Sequence, residues 1–369
     1  KLQKNAHVLL NAQVQLTQSM TQNTGFHLSN ILKLMSLNLG ISVIIPSYNA
    51  ETTIEECLKT IFSETKNFDA EIIVVDDNSN DKTCEIVEKF KLVQLIKLKK
   101  NQGVGHARNI GAQTANKKIL CYVDSDLIIS ENSISNLVEK LQQDENIGSV
   151  GAIPEIYNLN HKNWSSNFVC LKSCYGFEDV DKETEVSDIQ SEFCVIFKDF
   201  LEKVGGWKSF RKAGGEEYEL GHKIIQAKKK NIKITNASYK TYWASLYLRF
   251  KKVVDRTEKY IQVLLNKKKF DSMGSFATSQ QALSAFFTSL IIFFILFSFY
   301  FSKWIILFGL LISFIAQLII EYKFLLFAKK HFGLKMLFFS IFGIQVINLG
   351  ILLGTIYFLI NIIKYFFKR

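Results

Sequence analysis

Proline is nearly missing from this chain, at two residues in 369. That excludes proline-rich linkers, collagen-like repeats and mucin-like stalks. Cysteine is sparse as well. Cys57, Cys84, Cys121, Cys170, Cys174 and Cys194 form no CxxC pair, and the Cys170/Cys174 spacing has no second pair to match it, which argues against a zinc site. Cys84 and Cys121 fall inside apolar patterns and read as buried free thiols, consistent with a reducing compartment. Residues 1–248 also lack a charge excess, with 29 Lys and Arg against 30 Asp and Glu. The folded part therefore has no electrostatic footprint for a phosphate backbone, and nucleic acid is excluded as a partner.

What is present lies at the other end. The net charge of +11 comes from residues 249–280, with 8 basic against 3 acidic side chains, and from 281–369, with 8 against 1. Long uncharged runs fill the same third, at 272–302, 304–320 and 336–363. Membrane spans are expected at about 281–302, 304–320 and 336–360, which excludes a fully soluble enzyme. Lys267, Lys268 and Lys269 precede the first span, and Lys323, Lys329, Lys330 and Lys335 separate the second from the third. Both basic segments are expected to face the cytoplasm, with a tight external turn near Lys303 and the C-terminus outside. The terminal Lys364, Lys368 and Arg369 weigh against that last orientation. Residues 246–280 read as basic amphipathic helices lying on the bilayer, each cation adding about 1 kcal/mol of attraction to an anionic leaflet. The expectation is an integral protein of a bacterial or archaeal plasma membrane, its folded domain inside and its functional site apart from the basic belt.

Residues 1–39 read as a polar extension, rich in Gln, Asn and Thr, with no apolar run suited to a signal peptide. Met35, six residues before the first strong strand, leaves open whether residues 1–34 are native. From residue 41 the pattern is regular. Strands are expected at 41–45, 71–75, 92–98, 118–123 and 147–153, and helices at 50–63, 81–90, 104–115 and 131–142. That alternation predicts a domain over 40–245 built on an α/β, Rossmann-like, doubly wound parallel sheet. Such sheets bind ligands beyond the carboxyl ends of their strands. There the sequence places Pro46-Ser47-Tyr48-Asn49, then Asp76-Asp77-Asn78-Ser79, then Asn101 to Gly105, then Asp124-Ser125-Asp126. Asp124 and Asp126 supply two hard oxygen ligands to one side of a turn, suited to Mg²⁺ or Mn²⁺ bound mainly by a substrate diphosphate. Past residue 154 the pattern weakens until 192–197, followed by Gly205-Gly206-Trp207 and a helix opened by Gly214-Gly215-Glu216-Glu217 and running to about Lys230.

The ordered set VIIPSYNAE, VVDDNSND, NQGVGHARNIGA, YVDSD, GGW and GGEEYEL resembles the inverting family 2 glycosyltransferases of GT-A fold, in particular their membrane-anchored members, over roughly 41–260. The resemblance implies a nucleotide-diphosphate-sugar donor held by Pro46, Tyr48, Asn49, Glu51, Asp77, Arg108 and Asp124. It implies a metal on Asp124 and Asp126, and Glu217 as general base beside Glu216. Trp207 reads equally as a core residue and as a sugar-stacking platform on the acceptor side. Three departures stand out. The base position holds Glu where the family usually has Asp. The family often has a His completing the metal site near 239–243, where this chain has Tyr239, Lys240, Thr241, Tyr242 and Trp243. The Q/RxxRW signature of processive synthases is absent, which favours single-sugar transfer. A base is needed for a hydroxyl nucleophile and not for an ionised phosphate. The expected reaction is therefore transfer to a hydroxyl of a membrane lipid or lipid-linked glycan in cell-envelope glycan synthesis, a reading set against two others. Those are a polyprenyl-phosphate glycosyltransferase and a catalytically silent scaffold of a polysaccharide assembly complex.

Overall fold

The computed structural model describes residues 40–159, 163–177, 183–209, 215–267 and 278–367. The expected extension over 1–39, Gly214 and the basic residues Lys268, Lys269, Lys368 and Arg369 lie outside them. In chain order the first half runs β1 (Ile41–Ser47), α1 (Ile54–Thr65), β2 (Ala70–Asp76), α2 (Thr83–Val87), β3 (Val93–Lys97), α3 (Val104–Thr114), β4 (Ile119–Val123), β5 (Leu127–Ile129), α4 (Ser133–Gln143) and β6 (Ile147–Asn158). It continues with α5 (Trp164–Cys174), β7 (Glu183–Val186), β8 (Phe193–Phe197), α6 (Lys198–Lys203), α7 (Glu216–Gln226) and β9 (Lys230–Thr241). Three further helices follow: α8 (Leu246–Lys267), α9 (Ser279–Leu296) and α10 (Lys303–Phe367).

The strands form one nine-stranded sheet in the order β3-β2-β1-β4-β8-β6-β9-β5, with β7 also on β9. β1 lies between β2 and β4, parallel to both. It is buried throughout, so its side chains divide by alternation between two cores. Ile41, Val43 and Ile45 meet Ile54, Leu58 and Ile61 of α1 on one face. Ile44 joins Leu120, Tyr122 and Trp207 on the other. Gly111 lets α3 close on that second face, since a Cβ there would stand 2.3 Å from a methyl of Ile44.

The sheet is mixed, which corrects the all-parallel expectation. β8 runs antiparallel to β4 and β6, and β9 antiparallel to β5 and β7. Parallel β-α-β alternation holds only through β4. Beyond it the chain inserts α5 and short strands whose polar residues mask the period. Helix 81–90 is also shorter than expected, ending at Val87 before a turn into β3.

α9 and α10 are long and apolar enough to cross a membrane. α10 breaks at Gly333, whose φ of 78° and ψ of −178° are non-helical. Gln345 donates to Gln317 across that break. Twenty-eight residues of straight helix would separate the two by about 42 Å, so the chain doubles back at Gly333. The apolar region thus holds three helical segments, and the expected basic loop between the last two is helical up to the break. Polar side chains tie them together: Gln317 Nε2 donates to Thr288 Oγ1 at 2.7 Å, and Asn348 Nδ2 to Ser284 Oγ at 2.9 Å.

The folded domain is seated on these helices. Phe168 of α5 fills the notch left by Gly343, and Lys172 pairs with Glu321 at 2.9 Å. Phe250 and Thr257 of α8 lie against Gly350 and Gly354.

Candidate active site

Three adjoining hollows follow the carboxyl edge of the sheet. The first, about 330 Å³, is walled by Pro46, Tyr48, Asp77 and Val104. The second, about 360 Å³, shares Pro46, Tyr48 and Val104 with it and adds Asn49, Asp124, Asp126 and Tyr242. The third, about 340 Å³, shares Asp124, Asp126, Val104 and Tyr242 and reaches Arg108, Glu192, Glu216, Glu217, Trp243 and α8. The result is one cleft, from Asp77 to α8.

The loops that line the first two hollows are rigid because their polar groups bond to one another. Asp77 accepts from the backbone N–H of Gln102 and of Gly103, both at 2.8 Å, which draws the loop before α3 onto the end of β2. Asn49 accepts from the Asn80 N–H at 2.9 Å, and Glu51 from the Lys82 N–H at 3.1 Å. Asn49 takes a left-handed conformation with φ 51°, which asparagine tolerates. Tyr48 remains 48% exposed, its ring open to the cleft. Glu51 lines none of the three hollows. Its carboxylate serves the junction between the first two loops.

At the centre, Arg108 Nη2 donates to Asp124 Oδ1 at 2.8 Å. Arg108 is 1% exposed, and its guanidinium lies 4.7 Å from the Trp207 ring centroid. Its Nε and Nη1 have no hydrogen-bond partner among the described residues. Trp207 is 3% exposed and stands edge-on to Tyr122. It is a core residue that supports Arg108, not an acceptor platform, because its ring is enclosed between Arg108 and Tyr122.

The antiparallel strands bring in a carboxylate that the pattern concealed. Pairing of Val123 with Phe193 sets Glu192 opposite Asp124, and the Asp124 N–H donates to the Glu192 carbonyl at 2.8 Å. The Glu192 carboxylate accepts from Gln190 Nε2 at 2.9 Å and from the hydroxyl of Tyr239. Tyr239 thus occupies the stretch where the family often has a His, and it orients Glu192. The crowding is electrostatic as well. Burial, outweighing Arg108, and the nearby Asp126 and Glu192 push Asp124 up to about 7. Burial and Glu192 raise Asp126 too. Among the described residues no group of three His, Cys, Asp or Glu side chains forms a ready cation cage. The residues present fit a divalent ion held by two carboxylates and completed by a ligand's phosphates, because excess negative charge faces open space.

Glu216 and Glu217 open α7 after Gly215, whose φ of 98° suits only glycine. Glu217 Oε2 accepts from the Gly215 N–H at 3.0 Å, and both glutamates line the third hollow. Burial, then the charge of Glu216, raises the Glu217 carboxyl above its ordinary value. Arg249, Lys252 and Arg256 of α8 line the same hollow. The basic belt therefore lines the site, contrary to the expectation that it lies apart. The spacing of these residues, three and then four, marks one helix face and was available in the sequence.

Of the cysteines, all six are free thiols. Five are buried and Cys84 is half-buried.

A mixed sheet with a continuous carboxyl-edge cleft and C-terminal helices defines a GT-A-type α/β protein. The model described as glycosyl transferase family 2 matches residues 42–205, and this chain carries a glycosyltransferase family 2 domain. The minor teichoic acid biosynthesis protein GgaB of Bacillus subtilis (strain 168) is 30% identical over 219 residues, covering 55% of this chain and 23% of that protein. The probable glycosyltransferase YdaM of the same organism is 30% identical over 192 residues, 49% of this chain and 45% of that one. A poly-beta-1,6-N-acetyl-D-glucosamine synthase of Staphylococcus epidermidis is 25% identical over 178 residues, 46% and 42% respectively. The chain spans less than half the length of these relatives. The mannosyltransferase PcManGT of Pyrobaculum calidifontis, solved with GDP-Man and Mn²⁺, aligns over 87% of both chains with a TM-score of 0.53 at 16% identity, a likeness of fold.

Proposed function

We propose that this chain is an inverting, divalent-metal-dependent transferase acting at the cytoplasmic face of a bacterial or archaeal plasma membrane. It moves one sugar from a nucleotide-diphosphate sugar to a hydroxyl of a membrane lipid or lipid-linked glycan, in cell-envelope glycan synthesis. The observation that carries this reading is the position of Glu217, a buried carboxylate in the same hollow as Asp124 and Asp126. The first hollow, between Tyr48 and Asp77, receives the nucleoside. Arg108 holds Asp124 from the buried side of the cleft and adds positive charge beneath the acidic centre. When bound, Mg²⁺ or Mn²⁺ on Asp124 and Asp126 supplies positive charge beside the leaving diphosphate. Glu217 takes the proton of the acceptor hydroxyl as its oxygen bonds to the anomeric carbon. The bond to the donor phosphate breaks on the opposite side, and the nucleoside diphosphate leaves with the electron pair. Base assistance of this kind is worth about 10²–10⁴ in rate. The envelope setting is supported by the names of the Bacillus and Staphylococcus relatives and by the apolar helices.

The test is incubation of the full chain, in membranes, with a panel of nucleotide sugars and Mg²⁺ or Mn²⁺, followed by mass spectrometry of the lipids. A lipid or glycolipid that gains one glycosidically linked sugar, only with metal, is expected. A sugar phosphodiester, or no product with any donor, contradicts the reading.

A further inference from the structure

Asn109 stands beside Arg108 in the interior of α3, where asparagine is a poor helix former because its amide competes for backbone bonds. Here the amide is committed to another segment. Its Nδ2 donates to the Trp207 carbonyl at 2.7 Å, and its Oδ1 accepts from the Trp207 N–H at 2.9 Å. One side chain thus satisfies both backbone groups of a distant residue, a pairing for which a carboxamide supplies donor and acceptor side by side. Gly206, with φ 64°, leaves room for it, since a Cβ there would stand 2.8 Å from Asn109 Oδ1.

The clamped turn supports two parts of the cleft. The Trp207 ring carries the Arg108 guanidinium at 4.7 Å. Trp207 also belongs to the same apolar core as Leu220 and Ile224 of α7, and Lys223 of α7 donates to the Gly206 carbonyl at 3.4 Å. α7 is the helix whose first turn brings Glu216 and Glu217 to the third hollow. The base helix therefore rests on a turn that α3 grips through Asn109. Asp124 depends on that grip less, because its bond to Arg108 is direct and α3 is docked on β1 with Gly111 against Ile44. α7 has further holds, Asn231 Nδ2 on the Gly221 carbonyl at 3.1 Å and the Ile189 N–H on the Glu217 carbonyl at 3.2 Å. Loss of the clamp then shifts the helix without releasing it.

We infer that Asn109 is a positioning residue for the base: by fixing the Trp207 backbone between α3 and α7, it sets where the Glu217 carboxylate stands in the cleft. The inference rests on the reading of Glu217 as general base. A base must meet the acceptor hydroxyl within hydrogen-bond reach, and a displacement of about 1 Å costs on the order of 10² in rate.

The experiment is a double-mutant cycle on the full chain in membranes, with UDP- and GDP-sugars as donor probes. Single-turnover transfer and donor affinity are measured for wild type, Asn109→Ala, Glu217→Gln and the double variant. Asn109→Ala is expected to lower transfer about 10- to 100-fold, with donor affinity held within about twofold. In the Glu217→Gln background the same substitution should cost no more than about twofold, because a side chain without basicity has no catalytic position to lose. Equal fold losses in the two backgrounds mark a purely structural role and overturn the inference. Wild-type transfer by Asn109→Ala overturns it too, as does a tenfold loss of donor affinity. Asn109→Asp is isosteric, keeps the acceptor for the Trp207 N–H and loses the donor to its carbonyl. It takes the place of the alanine variant if that one does not fold, and the same outcomes decide. Wild-type transfer by Glu217→Gln itself refutes the base reading and this inference with it. A defective Glu217→Gln beside an additive cycle overturns the inference alone.

Discussion

Arg108 Nη2 and Asp124 Oδ1 are 2.8 Å apart, and the arginine of this pair is sealed from solvent while the aspartate side chain is 27% exposed toward the cleft. The pair joins the buried support, Trp207 beneath the guanidinium, to the acidic centre. Replacing Arg108 by Met removes the counter-charge of an aspartate already crowded by Asp126 and Glu192. The expected loss is about 3 kcal/mol, at the low end for a broken buried pair because Asp124 retains water contact. Arg108→Lys should recover only part of it, since an ammonium lacks the guanidinium fork and stacks less well on the indole. Thermal unfolding of the full chain in detergent measures both.

The ionisable groups set a direction for pH dependence. Glu217 acts as a base only when ionised, and burial with the neighbouring Glu216 raises it. A raised base gives up its proton at higher pH, so turnover should climb with pH over a window displaced upward from the ordinary carboxylate range. Asp124, at about 7, adds a requirement of the same sign. Its charged form predominates above that pH, so donor and metal binding should strengthen as pH rises through neutrality. Rate and donor KM measured across neutral pH test both trends, and flat profiles contradict them.

Much of this was legible in the residues. β1 to β4 and the helices between them follow directly from their apolar periods, and the polar residues after β1, β2 and β4 fall at one sheet edge because parallel strands end there. Glu192 was not legible, because its place depends on β8 pairing antiparallel to β4, and no local pattern signals that reversal. α5 was concealed for a related reason. It is buried on several sides, against β6 and against the membrane-length helices, so no polar stripe marks it. The cations of α8 were visible, but a basic amphipathic helix reads equally as a membrane clamp until the fold shows which side faces the cleft.

Lys172 and Glu321 join α5 to α10 at 2.9 Å, with side-chain exposures of 19% and 2%. Val169 and Ser173 of the same helix line the third hollow, so the membrane-length helices hold one wall of the site. Lys172→Met leaves Glu321 buried and uncompensated, at a cost on the order of 3 kcal/mol. The double replacement Lys172→Met with Glu321→Gln should regain most of that stability, because no orphaned charge remains. Unfolding midpoints of the two variants decide the point, and equal losses contradict it.

Gly333 occupies a backbone region that only glycine enters readily, with φ 78° and ψ −178°. An added Cβ meets nothing within 4 Å, so Gly333→Ala isolates backbone strain of about 1–3 kcal/mol. The expected outcome is a lower unfolding midpoint together with weaker cross-linking between cysteines placed at 317 and 345. An unchanged midpoint contradicts the strain at Gly333, and no cross-linking between 317 and 345 when Gly333 is retained contradicts the hairpin.

Glu217→Gln tests the central claim most directly, because the amide keeps the side chain's shape and removes its basicity. Single-turnover sugar transfer and nucleotide-sugar binding are measured on the same preparation. The account predicts transfer reduced by about 10²–10⁴ with donor affinity unchanged. Transfer at the wild-type rate would contradict it.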